Sequence, residues 1–410
     1  MNDFLIFHWL KEVNHWGKTP EGGISRLAFS QEDKGARKYV IDLMEEYGME
    51  VRIDEAANII GKYAGTEPDL PAVVIGSHLD SVPSGGKYDG VLGVLSGLEV
   101  VRHLAQNNIR GRHSLEVIVF SNEEGCRYPY TLFGSSVMMG DFHKPWEEIK
   151  NMQDEQGIKL VQEIKELGGK PEKLFLARRN PEQIKAFLEL HIEQGLVLED
   201  KGVSIGIVEG ISAPIRFVLK LMGSADHAGA TPMVLRRDPL MGASEIMLAL
   251  ERIVKETSVT AVGTVGQINV SPGAVNIIPG TVTLSFDIRD IDLAARNQIV
   301  RNLEKVIREV CQTRDLKYDF QEIFNISPVM LDTQMISLIE QVCQEMEIPA
   351  IKMISGAAHD AMVMANHVPT GMIFVPSVAG ISHNPSEYTR NEDIMKGVEV
   401  LGQTVLRLIK

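Results

Sequence analysis

The chain has 410 residues, with 55 acidic and 41 basic side chains and a formal charge of −14. Its length predicts about two domains. Its acidic balance argues against nucleic-acid partners, which require a basic field, and against docking on an anionic membrane. No apolar run approaches the roughly 20 residues of a spanning helix. The first residues do not resemble a signal peptide, and three scattered cysteines indicate a reducing, cytoplasmic environment.

Strands and helices alternate in the first half of the chain. The apolar run at 72–77 is typical of a buried parallel strand, and similar runs follow at 115–121 and 186–191. Helical periodicity is found at 89–106, and helical segments are predicted near 149–168. This order is the βαβ pattern of a mostly parallel sheet with helices on both faces.

The pattern changes near Ser212 and returns after Pro328. Between them the order β-α-β-β-α-β predicts a small two-layer α+β domain of the ferredoxin-like type. Its strands are predicted at 215–222, 261–271, 281–289 and 316–324, and its helices at 238–256 and 292–313. After it we predict helices at 333–346 and 391–409 and strands at 350–354 and 371–375. The predicted fold is therefore an α/β domain of residues 1–211 and 328–410, interrupted by an inserted domain of residues 212–327.

Histidines and acids lie where the predicted strands of the larger domain end. Because ligands bind at the carboxyl ends of strands in open α/β sheets, we expect these side chains to share one rim. Imidazole and carboxylate groups together suit zinc, manganese, cobalt or nickel. The residues are His78, Asp80, Asp89, Glu123, Glu124, His191 and His383.

The spacing of these residues suggests a different chemical role for each. Alternation along a strand puts His78 and Asp80 on one face, so that Asp80 can hold one imidazole nitrogen while the other binds metal. Adjacent Glu123 and Glu124 must point in different directions, so one can ligate while the other takes a proton from water. Asp89 could bridge two metal ions about 3.5–4 Å apart.

Simpler interpretations exist for each of these features. A single histidine is more often a surface or hydrogen-bonded core residue than a ligand. Paired glutamates usually lie on a solvated helix face, although Glu123 and Glu124 end a buried strand and precede a glycine. The glycine stretch at 84–86 belongs to neither a Walker A motif nor a dinucleotide fingerprint.

Short motifs containing these residues follow one another along nearly the whole chain, from about residue 22 to residue 387. Together they resemble the dinuclear amidases of the M20 metallopeptidase-like family, in the hydantoinase/carbamoylase branch. That branch contains allantoate amidohydrolase, N-carbamoyl-L-amino-acid hydrolase and β-ureidopropionase. The resemblance implies a metallopeptidase-like catalytic domain and an inserted lid and dimerisation domain. The motifs are Gly76–Ser81, Gly86–Gly90, Asn122–Gly125, His191–Gly195, Asp226–Met233, Val275–Gly280, Ser355–Asp360 and Ile381–Pro385.

The resemblance also implies a role for each strand-end residue. It implies two divalent ions per subunit, zinc or manganese, with cobalt or nickel as alternatives. Asp80 resembles the residue that orients a metal ligand. Glu123 resembles the general base that activates the bridging water and then protonates the leaving nitrogen. The implied metal ligands, with Asp89 bridging, are His78, Asp89, Glu124, His191 and His383.

Further roles are implied in the inserted domain and beside His191. His227 resembles a histidine that enters the active site of the partner subunit and stabilises the oxyanion, which implies a homodimer with shared sites. Asn276 and Arg289 resemble a clamp for the substrate carboxylate. Gln194 is a candidate for contacting the ureido group.

The implied reaction is hydrolysis of a ureido C–N bond in a small anionic substrate. Arg216 and the run Arg127–Tyr130 resemble allantoate amidohydrolases, which favours allantoate, converted to ureidoglycine, ammonia and carbon dioxide in purine catabolism. Ala358 instead favours an N-carbamoyl-L-amino-acid hydrolase, and a β-ureidopropionase-like activity is a further alternative. Arg216 could also be an ordinary exposed strand residue. The chain could also be a binding protein without catalytic activity that keeps the fold of these enzymes.

Overall fold

The computed structural model describes residues 4–410, which divide into two compact units. The larger unit contains the chain up to Glu209 and again from Met330 to Lys410, and the smaller unit runs from Gly210 to Val329. One sheet has a parallel centre and the other is separate and antiparallel, so the predicted mixed α/β fold class is confirmed. The assignment of catalysis to one unit and of a lid or dimer contact to the other stays a prediction.

Thirteen strands and twelve α-helices form these units in the described part of the chain. The strands are β1 (Glu50–Ile53), β2 (Ile59–Tyr63), β3 (Ala72–His78), β4 (Leu115–Phe120), β5 (Ile184–Ile192), β6 (Ile205–Ile211), β7 (Ala213–Met222), β8 (Val262–Ser271), β9 (Thr281–Asp290), β10 (Lys317–Asn325), β11 (Val329–Met330), β12 (Ala350–Ser355) and β13 (Thr370–Val375). The helices are α1 (Ile6–Val13), α2 (Gln31–Glu46), α3 (Val91–Gln106), α4 (Phe133–Met139), α5 (Trp146–Asn151), α6 (Leu160–Glu166), α7 (Val197–Lys201), α8 (Pro239–Thr257), α9 (Leu293–Thr313), α10 (Thr333–Glu345), α11 (Asp360–Met364) and α12 (Asn391–Leu408). Among residues 4–410, no helix combines the length and the apolar character needed to cross a membrane.

The sheet of the larger unit has the strand order β1-β2-β4-β3-β5-β13-β6-β11, with β12 beside β6. Its four central strands, β4, β3, β5 and β13, are parallel. Strands β3 and β4 are buried along their whole length, as their continuous apolar runs predict. His78 lies opposite Phe120, and His191 lies opposite Phe374. The histidines that end β3 and β5 are therefore on the carboxyl edge of the sheet.

Helix α3 begins two residues after Asp89. The residue between them, Gly90, has no side chain, so the backbone can pass close to the His78 ring. Gly90 has a φ of +65°, and a Cβ there would lie 2.4 Å from ring atoms of His78. A larger residue would meet both an unfavourable backbone conformation and a clash. The helix is buried round most of its circumference, which explains its apolar sequence.

The smaller unit is a two-layer arrangement with the antiparallel strand order β10-β7-β9-β8. Asp238 and Asp292 accept backbone N–H groups at the starts of α8 and α9, so both helices begin at side-chain caps. These helices and one face of the sheet form an apolar core. It includes Ile215, Phe217, Leu219, Val282, Leu284, Phe286, Ile299 and Leu303.

Candidate metal centre

Asp89 lies between two groups of potential metal ligands. Its Oδ1 is 3.1 Å from His191 Nε2 and 3.4 Å from His78 Nε2. Its Oδ2 is 3.1 Å from His383 Nε2, and Glu124 Oε1 is 3.6 Å from the same nitrogen. The two oxygens of one carboxylate thus face two different sets of side chains. We call these five residues the metal centre.

The chemistry of the metal centre fits divalent cations. Donor atoms of His78, Asp89 and His191 lie within 4.8 Å of one another, as do those of Asp89, Glu124 and His383. Glu124 Oε1 is buried and has no hydrogen-bond partner among residues 4–410, although buried carboxylate oxygens normally have one. Nitrogen and oxygen donors in this combination are typical ligands of zinc and manganese.

Backbone carbonyl groups orient two of the imidazole rings. His78 Nδ1 is 2.8 Å from the carbonyl oxygen of Asp80, and His191 Nδ1 is 2.9 Å from that of Ile192. A carbonyl oxygen can only accept, so each Nδ1 carries the proton. Each Nε2 is then left as the basic nitrogen that faces Asp89.

The Asp80 carboxylate does not make the predicted hydrogen bond with the His78 ring. Its Oδ1 is 3.9 Å from His78 Nδ1, which is too far for a hydrogen bond. Strand β3 ends at His78, so strand alternation does not continue to Asp80, and the Asp80 carbonyl makes the contact instead. The carboxylate accepts the backbone N–H groups of Glu123, at 3.2 Å, and Glu124, at 3.1 Å. Asp80 therefore holds the turn that presents both glutamates.

Glu123 and Glu124 point to different parts of the metal centre. Glu123 Oε2 is 3.7 Å from His78 Nε2, whereas Glu124 lies beside His383. Burial raises the pKa of Glu123 well above its ordinary value. Burial, together with the nearby Asp89 charge, raises the pKa of Glu124 to about 7. Burial opposes ionisation of Asp89 as well, but the adjacent imidazoles of His191, His383 and His78 hold its pKa well below the ordinary value. A bound cation would offset the crowding of negative charge.

Glu387 is a buried residue of this site that sequence reasoning missed. Its Oε1 accepts the backbone N–H groups of Tyr88, at 2.9 Å, and Asp89, at 3.2 Å. Its Oε2 accepts the Ser382 hydroxyl at 2.9 Å. A Cβ at Gly86 would lie 1.9 Å from this carboxylate, which explains the glycine there. The only sequence signal is an acid four residues after His383, in a loop.

Gln194 joins the metal centre through its side-chain amide. Its Nε2 donates to Asp89 Oδ2 at 2.8 Å and lies 3.4 Å from His383 Nε2. Its Oε1 is buried without a hydrogen-bond partner in the described part of the chain. The structure thus brings Gln194 to the predicted ligands, while its contact with a ureido group stays a prediction.

His227 and Asn276 lie on neighbouring loops of the smaller unit. The Ala228 N–H donates to the Asn276 carbonyl at 3.0 Å. His227 is exposed, and its Nδ1 accepts the N–H groups of Gly229, at 3.0 Å, and Ala230, at 3.2 Å. An Nδ1 that accepts has no proton, so in the neutral ring Nε2 is the donor.

Arg216 and Arg289 share one carboxylate on the face of the small sheet opposite its helices. Arg216 lies directly across from Asp287 in the strand register, and its Nε donates to Asp287 Oδ2 at 2.8 Å. Arg289 Nε donates to Asp287 Oδ1, also at 2.8 Å. The guanidinium of Arg216 lies 5.1 Å from the Phe324 ring centroid. Asp287, which sequence reasoning missed, thus fixes both arginines.

Residues 74–407 match peptidase family M20/M25/M40, and this range includes every residue of the metal centre. The chain belongs to this family. As an M20 protein it is a metal-dependent hydrolase, so the predicted family and enzyme class are confirmed.

The M20 chain is similar over almost its full length to several amidohydrolases. It is 40% identical to the N-carbamoyl-L-amino acid amidohydrolase of Geobacillus stearothermophilus, over 98% of each chain. It is 35% identical to the allantoate amidohydrolase of Escherichia coli K12, over 97% of this chain and 95% of the relative. Among solved structures, an amidase of the hydantoinase/carbamoylase family from Burkholderia multivorans matches with a TM-score of 0.92. The two are 34% identical over 98% of this chain and 97% of that one.

Proposed function

We propose that this M20 hydrolase cleaves the ureido C–N bond of an N-carbamoyl-L-amino acid, releasing the amino acid, ammonia and carbon dioxide. The observation that carries the choice of substrate is the 40% identity to an N-carbamoyl-L-amino acid amidohydrolase over 98% of both chains. The 35% identity to an allantoate amidohydrolase is lower over a similar length. The metal centre supports the reaction type, because a ureido carbonyl is a poor electrophile and needs activation.

Two divalent ions would be held by the metal centre, with Asp89 between them. His78 and His191 would complete one site, and His383 and Glu124 the other. Bound there, divalent cations supply Lewis acidity for the ureido carbonyl. Glu123 would take a proton from the attacking water and deliver it to the leaving nitrogen. Asp80 and Glu387 would hold the segments that carry these groups.

The remaining roles fall to the smaller unit. The carboxylate of the substrate would bind to Arg289, whose orientation is set by Asp287, and to Asn276. A guanidinium fork matches a carboxylate in a bidentate way. The Nε2–H of His227 would donate to the oxyanion of the tetrahedral intermediate.

Allantoate, the substrate that the sequence favours, is our second candidate. The contacts of the run Arg127–Tyr130 weaken its support for allantoate. Arg127 forms ion pairs with Asp154, at 2.9 Å, and Glu163, at 3.3 Å, and Tyr128 and Tyr130 are buried in the core of the larger unit. These residues therefore have a packing role. Arg216 still favours allantoate, although Asp287 partly neutralises its charge.

A substrate panel tests the proposed activity directly. Ammonia release is to be measured on manganese-loaded and zinc-loaded protein with N-carbamoyl-L-amino acids, their D enantiomers and allantoate. We expect the highest kcat/KM with an N-carbamoyl-L-amino acid. A higher value with allantoate would reverse our order of substrates. No turnover of any ureido or dipeptide substrate would favour the binding protein without catalytic activity.

Replacing Arg216 separates the two substrates on a single variant. For Arg216→Ala we expect a small and equal change in kcat/KM for carbamoyl amino acids and allantoate. If Arg216 instead binds the second ureido arm of allantoate, loss of a charged hydrogen bond should cost about 2 kcal/mol with allantoate alone. The ratio of the two kcat/KM values is the readout, because any disturbance of Asp287 affects both substrates.

Glu387 offers a test of how the metal centre is held together. For Glu387→Ala we expect metal affinity to fall about 10–100-fold, because the Asp89 segment loses its acceptor. Glu387→Gln keeps an acceptor for the N–H groups and should retain most of the affinity. Chelator competition on both variants measures the effect. Equal affinity for manganese or zinc in wild type and Glu387→Ala would argue that the loop holds its shape without this contact.

A further inference from the structure

A cavity of about 410 Å³ lies in the larger unit beside helix α1 and next to the segment that precedes Asp89. Three lysines line it: Lys11 on α1, Lys18 in the following loop, and Lys87. Among residues 4–410, no acidic side chain lines this cavity. We call it the lysine cavity. In a chain with a net charge of −14, three lysines around one cavity form a local positive region.

The positive charge of the lysine cavity is not balanced by the protein. Within the described ranges, no carboxylate oxygen lies within 4.0 Å of the ammonium groups of Lys11, Lys18 or Lys87. Glu12 of the same helix lies 3.8 Å from His15 instead. By contrast, Lys34 elsewhere in this unit pairs with two glutamates. Like charges that share a cavity repel each other, and a bound anion relieves that repulsion.

Other groups in the lysine cavity favour an anion with a carbon skeleton over a simple ion. Phe7 and Leu10 contribute an apolar wall, and Tyr88 contributes an aromatic ring. Asn14 donates its side-chain N–H to the Lys87 carbonyl at 2.9 Å. This contact ties helix α1 to the Lys87 segment.

The lysine cavity is directly connected to the metal centre through the chain. Lys87 and Tyr88 are the two residues before Asp89. Gly85 and Ile24 exchange backbone hydrogen bonds of 3.0 and 2.7 Å, so the cavity wall and this segment are held together. A ligand that contacts Lys87 would therefore restrain the segment that delivers Asp89.

We propose that the lysine cavity binds a small multivalent organic anion of the phosphate-monoester class. The three lysines neutralise its charge, and the apolar wall packs against its carbon atoms. Occupancy restrains the segment that precedes Asp89. The inference goes beyond the proposed function, because it concerns a second site and does not depend on which ureido compound is cleaved.

Calorimetric titration of the metal-loaded full chain with glycerol 3-phosphate tests this proposal, with sulfate as the probe that lacks a carbon skeleton. We expect one bound glycerol 3-phosphate per subunit at an ionic strength matched with chloride, and weaker binding of sulfate. Each lysine supplies a charge-assisted contact, so the triple variant Lys11→Gln, Lys18→Gln, Lys87→Gln should bind at least about tenfold more weakly. The matched control Lys173→Gln, Lys201→Gln, Lys317→Gln removes the same charge from exposed positions and should bind like wild type.

Chemical labelling of wild-type lysines provides a second measurement that needs no variant. Glycerol 3-phosphate should slow reductive methylation of Lys11, Lys18 and Lys87 and leave Lys173, Lys201 and Lys317 unaffected. Equal binding by wild type and the lysine-cavity variant, with no protection of these three lysines, would overturn the proposal and locate the anion elsewhere. Absence of binding to wild type would overturn it as well. Neither readout requires turnover, so both remain valid if the substrate assignment fails.

Discussion

Replacing Glu123 by glutamine should lower kcat about 10²–10⁴-fold, the range over which a positioned general base accelerates proton transfer. Glutamine has nearly the same shape but cannot take a proton from water or pass one to the leaving nitrogen. The carboxylate of Glu123 lies beside His78 yet belongs to neither group of clustered donors. Metal content should therefore remain at the wild-type level. Stopped ammonia assays and elemental analysis of the same sample measure both quantities.

The contrast between Glu123 and Glu124 makes this prediction specific. Glu124 is in one of the donor groups, so Glu124→Gln should lower metal content as well as kcat. Glu116→Gln is a control that removes a buried carboxylate paired with Arg179 near the start of β4, at the opposite end of the strand from Glu124, and it should leave kcat unchanged. If Glu123→Gln turned over at the wild-type rate, another group would have to be the base. If it lost its metal, Glu123 would be a ligand.

The carboxyl edge of the large sheet is the part of the site that sequence alone predicts well. Apolar runs identify β3, β4 and β5 because strands buried on both faces must be apolar. The residues that follow such strands must then meet at one edge. His78, His191 and Glu124 are near Asp89 for this reason, and their proximity can be predicted without the loop conformations.

Contacts between segments distant in sequence could not be predicted in this way. Glu387 accepts a hydrogen bond from the Asp89 N–H across 298 residues of sequence. Glu387 lies in a loop, where no hydrophobic periodicity predicts its position. The Arg216–Asp287 pair depends on the register of β7 against β9, which one sequence does not define. The role of the Asp80 carboxylate was missed because the strand ends two residues earlier than alternation would require.

The smaller unit contains the features that support a dimer. Close to His227 in sequence, Met233, Val234 and Leu235 expose 74%, 91% and 69% of their surface. Val275, next to Asn276, is fully exposed. Contiguous exposed apolar groups of this kind commonly mark protein interfaces. A second copy of the chain would cover them and bring His227 to a site formed by another subunit.

His227→Ala should lower kcat about 10²–10³-fold, which is the usual cost of removing one oxyanion donor. The metal centre lies in the larger unit, so metal content should be unchanged. Because two backbone N–H groups occupy Nδ1, the ring has a defined donor at Nε2, and an alanine variant loses that donor together with the acceptor for Gly229 and Ala230. KM should change less than kcat, since the oxyanion exists only beyond the ground state.

Mixing inactive variants determines whether His227 serves its own subunit or its partner. In a two-fold dimer with shared sites, a hybrid of His227→Ala and Glu123→Gln subunits has one complete site. Random exchange should then restore about one quarter of wild-type activity, because half of the dimers are hybrids and each has one working site of two. Each variant exchanged with itself should stay inactive. If exchange is demonstrated by mass labelling and no activity returns, His227 acts within its own chain, and the exposed apolar groups beside it require another explanation.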